Sequence, residues 1–157
     1  MKPEVCAITN IDMDHTQYLG NTRAAIAFEK AGILKPGVPA VVGETGEEAL
    51  PVIREQAALR KAPLHCFNGD YSFEAGGTTW HPIMAYRGLG VEWADLALGL
   101  AGAHQAHNAA LAVTMALLLR DTFPHITEPA IREGLSSARW PGRLERVLDS
   151  PPVFMDA

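Results

Sequence analysis

The sequence predicts an α/β domain: a parallel sheet flanked by helices, with a small antiparallel extension. Three observations carry that class. Up to Phe67, apolar β-branched runs alternate with helical periodicity, the order of parallel βαβ units. From Asp70 to Leu100, runs broken by Gly76-Gly77 and Gly88-Leu89-Gly90 have the spacing of an antiparallel meander at one edge of that sheet. From His104 to Arg120 a long helix carries apolar residues almost all round, which implies burial on most sides.

Val5 to Ile11 has the length and composition of a buried strand, and Asn21 or Thr22 can cap the helix that follows. Gly32 stands where a left-handed cap would end that helix. Lys35-Pro36-Gly37 is a turn, Pro39 to Gly43 a short strand, and Glu47 to Lys61 a helix with apolar positions at Ile53, Ala57 and Leu59. Leu64 to Phe67 is the next strand. Asp70 to Glu74, Thr78 to Tyr86 and Glu92 to Leu100 make the meander, with His81-Pro82 expected to hold its piece at an edge. Thr127 can cap a helix with Pro129 in its first turn and Ile131 and Leu135 facing inward. Strands through Leu148 and from Val153 to Asp156 close the chain.

At 157 residues, 48% of them hydrophobic, the chain has the size of one domain and enough apolar material for a core. A formal charge of -5 argues against a general nucleic-acid or anionic-membrane binder. The most apolar run, Ala109 to Leu119, is too short to span a bilayer, and the first residues lack a signal-peptide pattern. Two cysteines, Cys6 and Cys66, without C-x-x-C spacing suit a reducing cytoplasm and give no thiolate metal site.

The chemistry concentrates where the first strand runs out. Ile8-Thr9-Asn10-Ile11-Asp12-Met13-Asp14-His15 releases two carboxylates and an imidazole at a strand's carboxyl end, the side of an open α/β sheet where ligands sit. His15 can offer a ring nitrogen to a metal, and Asp12 and Asp14 are hard oxygen donors suited to magnesium. Spacing alone also allows Asp12 and Asp14 as turn formers and helix caps and His15 as a partly exposed loop residue. His104 and His107, three residues apart on one helix, are a weak metal signal without a third ligand.

Three motifs in one order add to this. They are Ile8-Thr9-Asn10-Ile11-Asp12-x-Asp14-His15-Thr16-x-x-Leu19-Gly20-x-Thr22 with Ile26-Ala27-x-Glu29-Lys30-Ala31-Gly32-Ile33, then His104-Gln105-x-x-Asn108-Ala109-Ala110, then Trp140-Pro141-Gly142-Arg143-Leu144-Glu145. Together they resemble the folylpolyglutamate synthase and dihydrofolate synthase branch of the ATP-dependent Mur ligases, over nearly the whole chain. The resemblance implies a magnesium ligand at His15 and, at Lys30, a lysine that can become a carbamate and so an anionic oxygen donor. Glu29, about 100° away on the helix, is implied to be structural. It further implies nucleotide contacts at Asn108, near the adenine, at Arg143 and at Asp156, the latter toward the ribose, with His104 and Gln105 at the start of the same helix as Asn108.

What the resemblance implies as activity is ATP-dependent ligation. A dihydropteroate or folate carboxylate is phosphorylated to an acyl phosphate and then attacked by the amine of L-glutamate, with ATP and Mg2+ required. Members of the family also carry a Gly-Lys-Gly-Ser phosphate loop, and no such loop occurs in these 157 residues. The expectation is therefore a partial central domain, inactive alone. Two other readings stand beside it: a non-catalytic module that self-associates through an exposed sheet edge, and a peptidoglycan-precursor Mur ligase, which Leu19-Gly20-x-Thr22 and Glu29-Lys30-Ala31-Gly32 disfavour.

Overall fold

The computed structural model describes residues 3–11, 22–142, 145–150 and 152–156. Asp12, Asp14, His15 and Arg143 lie outside the described residues. Strands β1 (Cys6–Asn10), β2 (Ala40–Glu44) and β3 (Leu64–Cys66) form one parallel sheet in that order. Its crossovers are α1 (Arg23–Lys30) and α2 (Ala49–Arg60).

Thr22 starts α1 by holding extended backbone and accepting the Ala25 N–H on its hydroxyl at 3.1 Å, one of the amides that a helix start leaves unpaired. The other end departs from expectation. Ala31 stays right-handed and the chain tightens into a 3-10 turn, Ala31–Ile33, so Gly32 is not a left-handed cap. Tightening keeps both Ala31 and Leu34 in the core, at 0% and 1% exposure. The turn at Lys35-Pro36-Gly37 forms as expected, with Gly37 at φ 69° and the Val38 N–H on the Lys35 carbonyl. On α2, Ile53 and Ala57 are buried but Leu59 is exposed, since two residues past Ala57 lies about 200° round the helix.

Strand alternation sorts side chains to two cores. Ala40 and Val42 join Ile8, Ile26, Ala27 and Ile53 under α1 and α2. Val41, between them, faces the opposite layer, built from α3 (His104–Leu119) and the meander β4 (Tyr71–Gly77), β5 (Pro82–Gly88) and β6 (Val91–Ala97). That meander is antiparallel and forms a sheet of its own, linked to the parallel one by a bridge between Phe67 and Tyr71. Pro82 does not mark an edge: β5 is the central strand of three, and Pro82 is its first residue, where a ladder N–H can be spared.

Helix α3 packs against β1 and β2 on one side and β4 and β5 on the other. It buries Ala106, Ala109, Ala110, Leu111, Val113 and Thr114, while Leu117 and Leu118 are only partly covered, less than the all-round burial expected. Small residues let it approach closely. Gly43 of β2 is needed for the same reason, because a Cβ there would run into the Thr9 carbonyl and meet Leu111 Cδ1 at 3.0 Å. Two buried hydroxyls tie the layers together. Tyr71 donates to the Val42 carbonyl at 3.0 Å. Thr114 donates to the Ala110 carbonyl at 2.8 Å, which leaves Tyr86 as the donor in its 2.9 Å bond to Thr114.

Helix α4 (Glu128–Ser137) packs on β6, capped by the Thr127 hydroxyl with a proline in its first turn, as expected. Strands β7 (Glu145–Asp149) and β8 (Pro152–Met155) pair as a hairpin, from which Phe154 stacks on Trp80 with ring centres 4.1 Å apart. Both cysteines are free, and no helix among the described residues is long and apolar enough to cross a membrane.

Candidate functional site

The carboxyl ends of β1 and β2 open onto a cleft of about 650 Å³. Its walls come from Thr9, Asn10 and Ile11 after β1, Arg23 at the start of α1, Glu44, Thr45 and Gly46 after β2, and Ala103, His104, His107 and Asn108 at the start of α3. This is the crevice that parallel sheets use for ligands, and the start of α3 forms part of its wall.

Three of the expected residues form one polar chain on α3. The Asn108 amide nitrogen donates to Gln105 Oε1 at 3.2 Å, and Gln105 Nε2 lies 2.9 Å from His104 Nε2. An amide nitrogen can only donate, so His104 Nε2 accepts and carries its proton on Nδ1. The arrangement uses one N–H of Asn108 and leaves a carbonyl and a second N–H, one acceptor beside one donor, on an exposed side chain that lines the cleft.

Lys30 closes α1 half-buried, and its Nζ donates to the Asn10 carbonyl at 2.9 Å. That carbonyl belongs to a cleft residue, separated by Ile11 alone from the 12–21 segment that carries His15. Glu29, the neighbouring position, is exposed. Asp156 is exposed beyond β8 and is not among the described residues lining the cleft. No group of three His, Cys, Asp or Glu side chains stands together as a metal cage among the described residues.

Several lining residues were not singled out from sequence. Arg23 places a guanidinium at the cleft directly after the capping threonine. Glu44 and Thr45 follow β2, where nothing local marks them. His107 is held edge-on to Phe73 with ring centres 4.7 Å apart, tilted on Phe67 at 5.8 Å, and has Nδ1 3.6 Å from Glu44 Oε2. Burial pushes both cysteine thiols up and so disfavours their thiolates, against the opposing pull of Arg54 at Cys66 and Lys35 at Cys6.

A parallel sheet ending in a cleft under a helix start, with an antiparallel sheet packed behind that helix, is the Mur ligase fold. The apo form of L. casei folylpolyglutamate synthase superposes with a TM-score of 0.91 at 33% identity, covering 98% of this chain and 38% of that one. A complex of folylpolyglutamate synthase with AMPPCP gives 0.91 as well, with 39% of that chain covered. Mycobacterium tuberculosis folylpolyglutamate synthase complexed with ADP and AMPPCP gives 0.83. In sequence, the dihydrofolate synthase/folylpolyglutamate synthase of Bacillus subtilis is 39% identical over 99% of this chain, and the folylpolyglutamate synthase of Lacticaseibacillus casei 33% over 98%. No protein-family model matches. By sequence and fold, nearly all of this chain is similar to the corresponding part of folylpolyglutamate synthase/dihydrofolate synthase enzymes. It spans 37% and 36% of the length of those two curated relatives.

Proposed function

We propose that the chain is part of the central, ATP-binding domain of a ligase that joins L-glutamate to dihydropteroate or a folate through an acyl phosphate. The observation that carries the reading is the Asn108 amide, held by Gln105 at the mouth of a cleft whose counterpart fold is known with AMPPCP bound, and in one complex with folate besides. An acceptor beside a donor is what an adenine edge asks for, since the exocyclic amine donates and the adjacent ring nitrogen accepts. Arg23 supplies positive charge at the same cleft for phosphate. Arg143 and Asp156 belong to the same reading, as further nucleotide contacts.

Magnesium, when bound, offsets charge on the phosphate being transferred. Lys30 suits that role only as a carbamate, because an ammonium donates and cannot ligate. Its half-buried position on the Asn10 carbonyl supports this, with His15 as the partner ligand. Among the described residues no three His, Cys, Asp or Glu side chains stand together as a full ligand set.

Calorimetric titration of the 157-residue chain with ATP and ADP tests the cleft. Adenine-nucleotide binding that weakens in Asn108→Ala is expected, and a chain that binds neither nucleotide overturns the reading. The chain by itself, with no phosphate loop in its sequence, is expected to release no phosphate from ATP in the presence of dihydropteroate or folate and L-glutamate.

A further inference from the structure

The nucleotide reading of the cleft leaves open what reads the base beyond Asn108, and two lining residues have surroundings that fit this. His107 lies on the cleft side of α3, one turn from His104. Its ring is fixed on three sides, edge-on to Phe73, tilted on Phe67, and beside the Glu44 carboxylate. The side chain as a whole is 43% exposed and forms cleft wall. A ring already immobilised in this way loses little freedom when a second flat ring packs on it, which is what makes a stacking surface effective.

Thr45 supplies the second observation. It is 5% exposed, it lines the cleft, and among the described residues its hydroxyl has no hydrogen-bond partner. Among those same residues no fully buried side-chain nitrogen or oxygen lacks a partner, so the unpaired Thr45 oxygen is one that the cleft itself reaches. Withdrawing a hydroxyl from bulk water without giving it a protein partner is costly unless something in the cleft bonds to it.

We propose that His107 and Thr45 form the base-selective wall of this cleft: His107 packs against the heteroaromatic ring of the nucleotide, and Thr45 hydrogen-bonds the ring's edge. The proposal rests on the nucleotide reading and deepens it. A hydroxyl both donates and accepts, so Thr45 alone does not choose between bases; the choice comes from a stacking surface and an edge contact offered together. A pyrimidine, one ring smaller, offers less surface to stack on His107.

The test uses the whole 157-residue chain with ATP and CTP as probes, read by calorimetry and by NMR with labelled histidine. Contacts between adenine ring protons and the His107 ring are expected in the wild-type spectrum. His107→Ala is expected to weaken ATP about tenfold and to bring the ATP and CTP affinities together. Thr45→Val is expected to weaken ATP about fivefold, with Thr45→Ser restoring it. If both variants bind ATP as the wild type does while Asn108→Ala weakens it, the inference is overturned and the cleft reading stands. If Asn108→Ala is also without effect, or ATP does not bind at all, both fail. Should either variant melt early, the presence or absence of the wild-type ring contacts decides.

Discussion

Asn108 is the residue on which most depends, and its neighbours explain why. Gln105 fixes the amide's orientation by taking one of its protons, so the pair presented to the cleft does not rotate freely. Gln105→Ala is therefore expected to weaken adenine-nucleotide binding about threefold to tenfold through Asn108, the worth of one oriented hydrogen bond, without lowering the melting temperature. Calorimetry and thermal melting on the same variant separate the two effects. Tyr71 makes a different kind of prediction. Burial raises its phenol well above the ordinary value of 10.0, and burial likewise raises Cys66 above 9.0. Both groups keep their protons in the folded chain and lose them more readily when unfolded, so their stability contribution is full below about pH 9 and falls as pH rises toward the folded values. The expected slope above pH 10 approaches about 1.4 kcal/mol per pH unit for Tyr71, with Cys66 contributing in the same direction. Urea unfolding between pH 8 and 11 measures it. Tyr71→Phe should flatten the slope while costing about 1 kcal/mol at neutral pH for the lost bond to Val42.

At the scale of elements, the caps were readable in advance because they are local. Thr22 and Thr127 each stand one residue before a helix and bond an amide three residues on. Thr22→Ala is expected to destabilise the domain by about 1 kcal/mol, measured by chemical denaturation. Gly32, Leu59 and Pro82 were misjudged where local preference met packing. Gly32 permits a left-handed cap, yet burying Ala31 and Leu34 required the chain to tighten instead. Pro82 suggests an edge only to a reader who cannot see which strand residue it is. Gly43 gave no local signal at all, being one apolar-strand residue among others. Its need comes from Thr9 and Leu111, distant in sequence. Gly43→Ala is expected to cost about 1–3 kcal/mol through overpacking, again by denaturation.

For the whole molecule, the βαβ alternation and the glycine-broken meander were enough to give the class, since both are patterns of neighbours along the chain. The site was legible only in part. Of the residues that motif wording named, His104 and Asn108 line the cleft, but Thr45, Glu44, Arg23 and His107 reach it because β2 lies beside β1 and α3 crosses above them. Pairings of that kind are decided by the fold and leave no spacing to read.

The placement of α3 has one more consequence. The helix that offers Asn108 to the cleft carries Thr114 to Tyr86 less than two turns later, deep between the sheets. A ligand that steadies the helix's first turn therefore also lowers the frequency with which the meander opens. Amide hydrogens of β5, which touch no part of the cleft, are expected to exchange more slowly when ADP is bound, by a factor that tracks ligand occupancy. An exchange map that changes only around the cleft would mean that the helix frays at its start without loosening its hold on Tyr86.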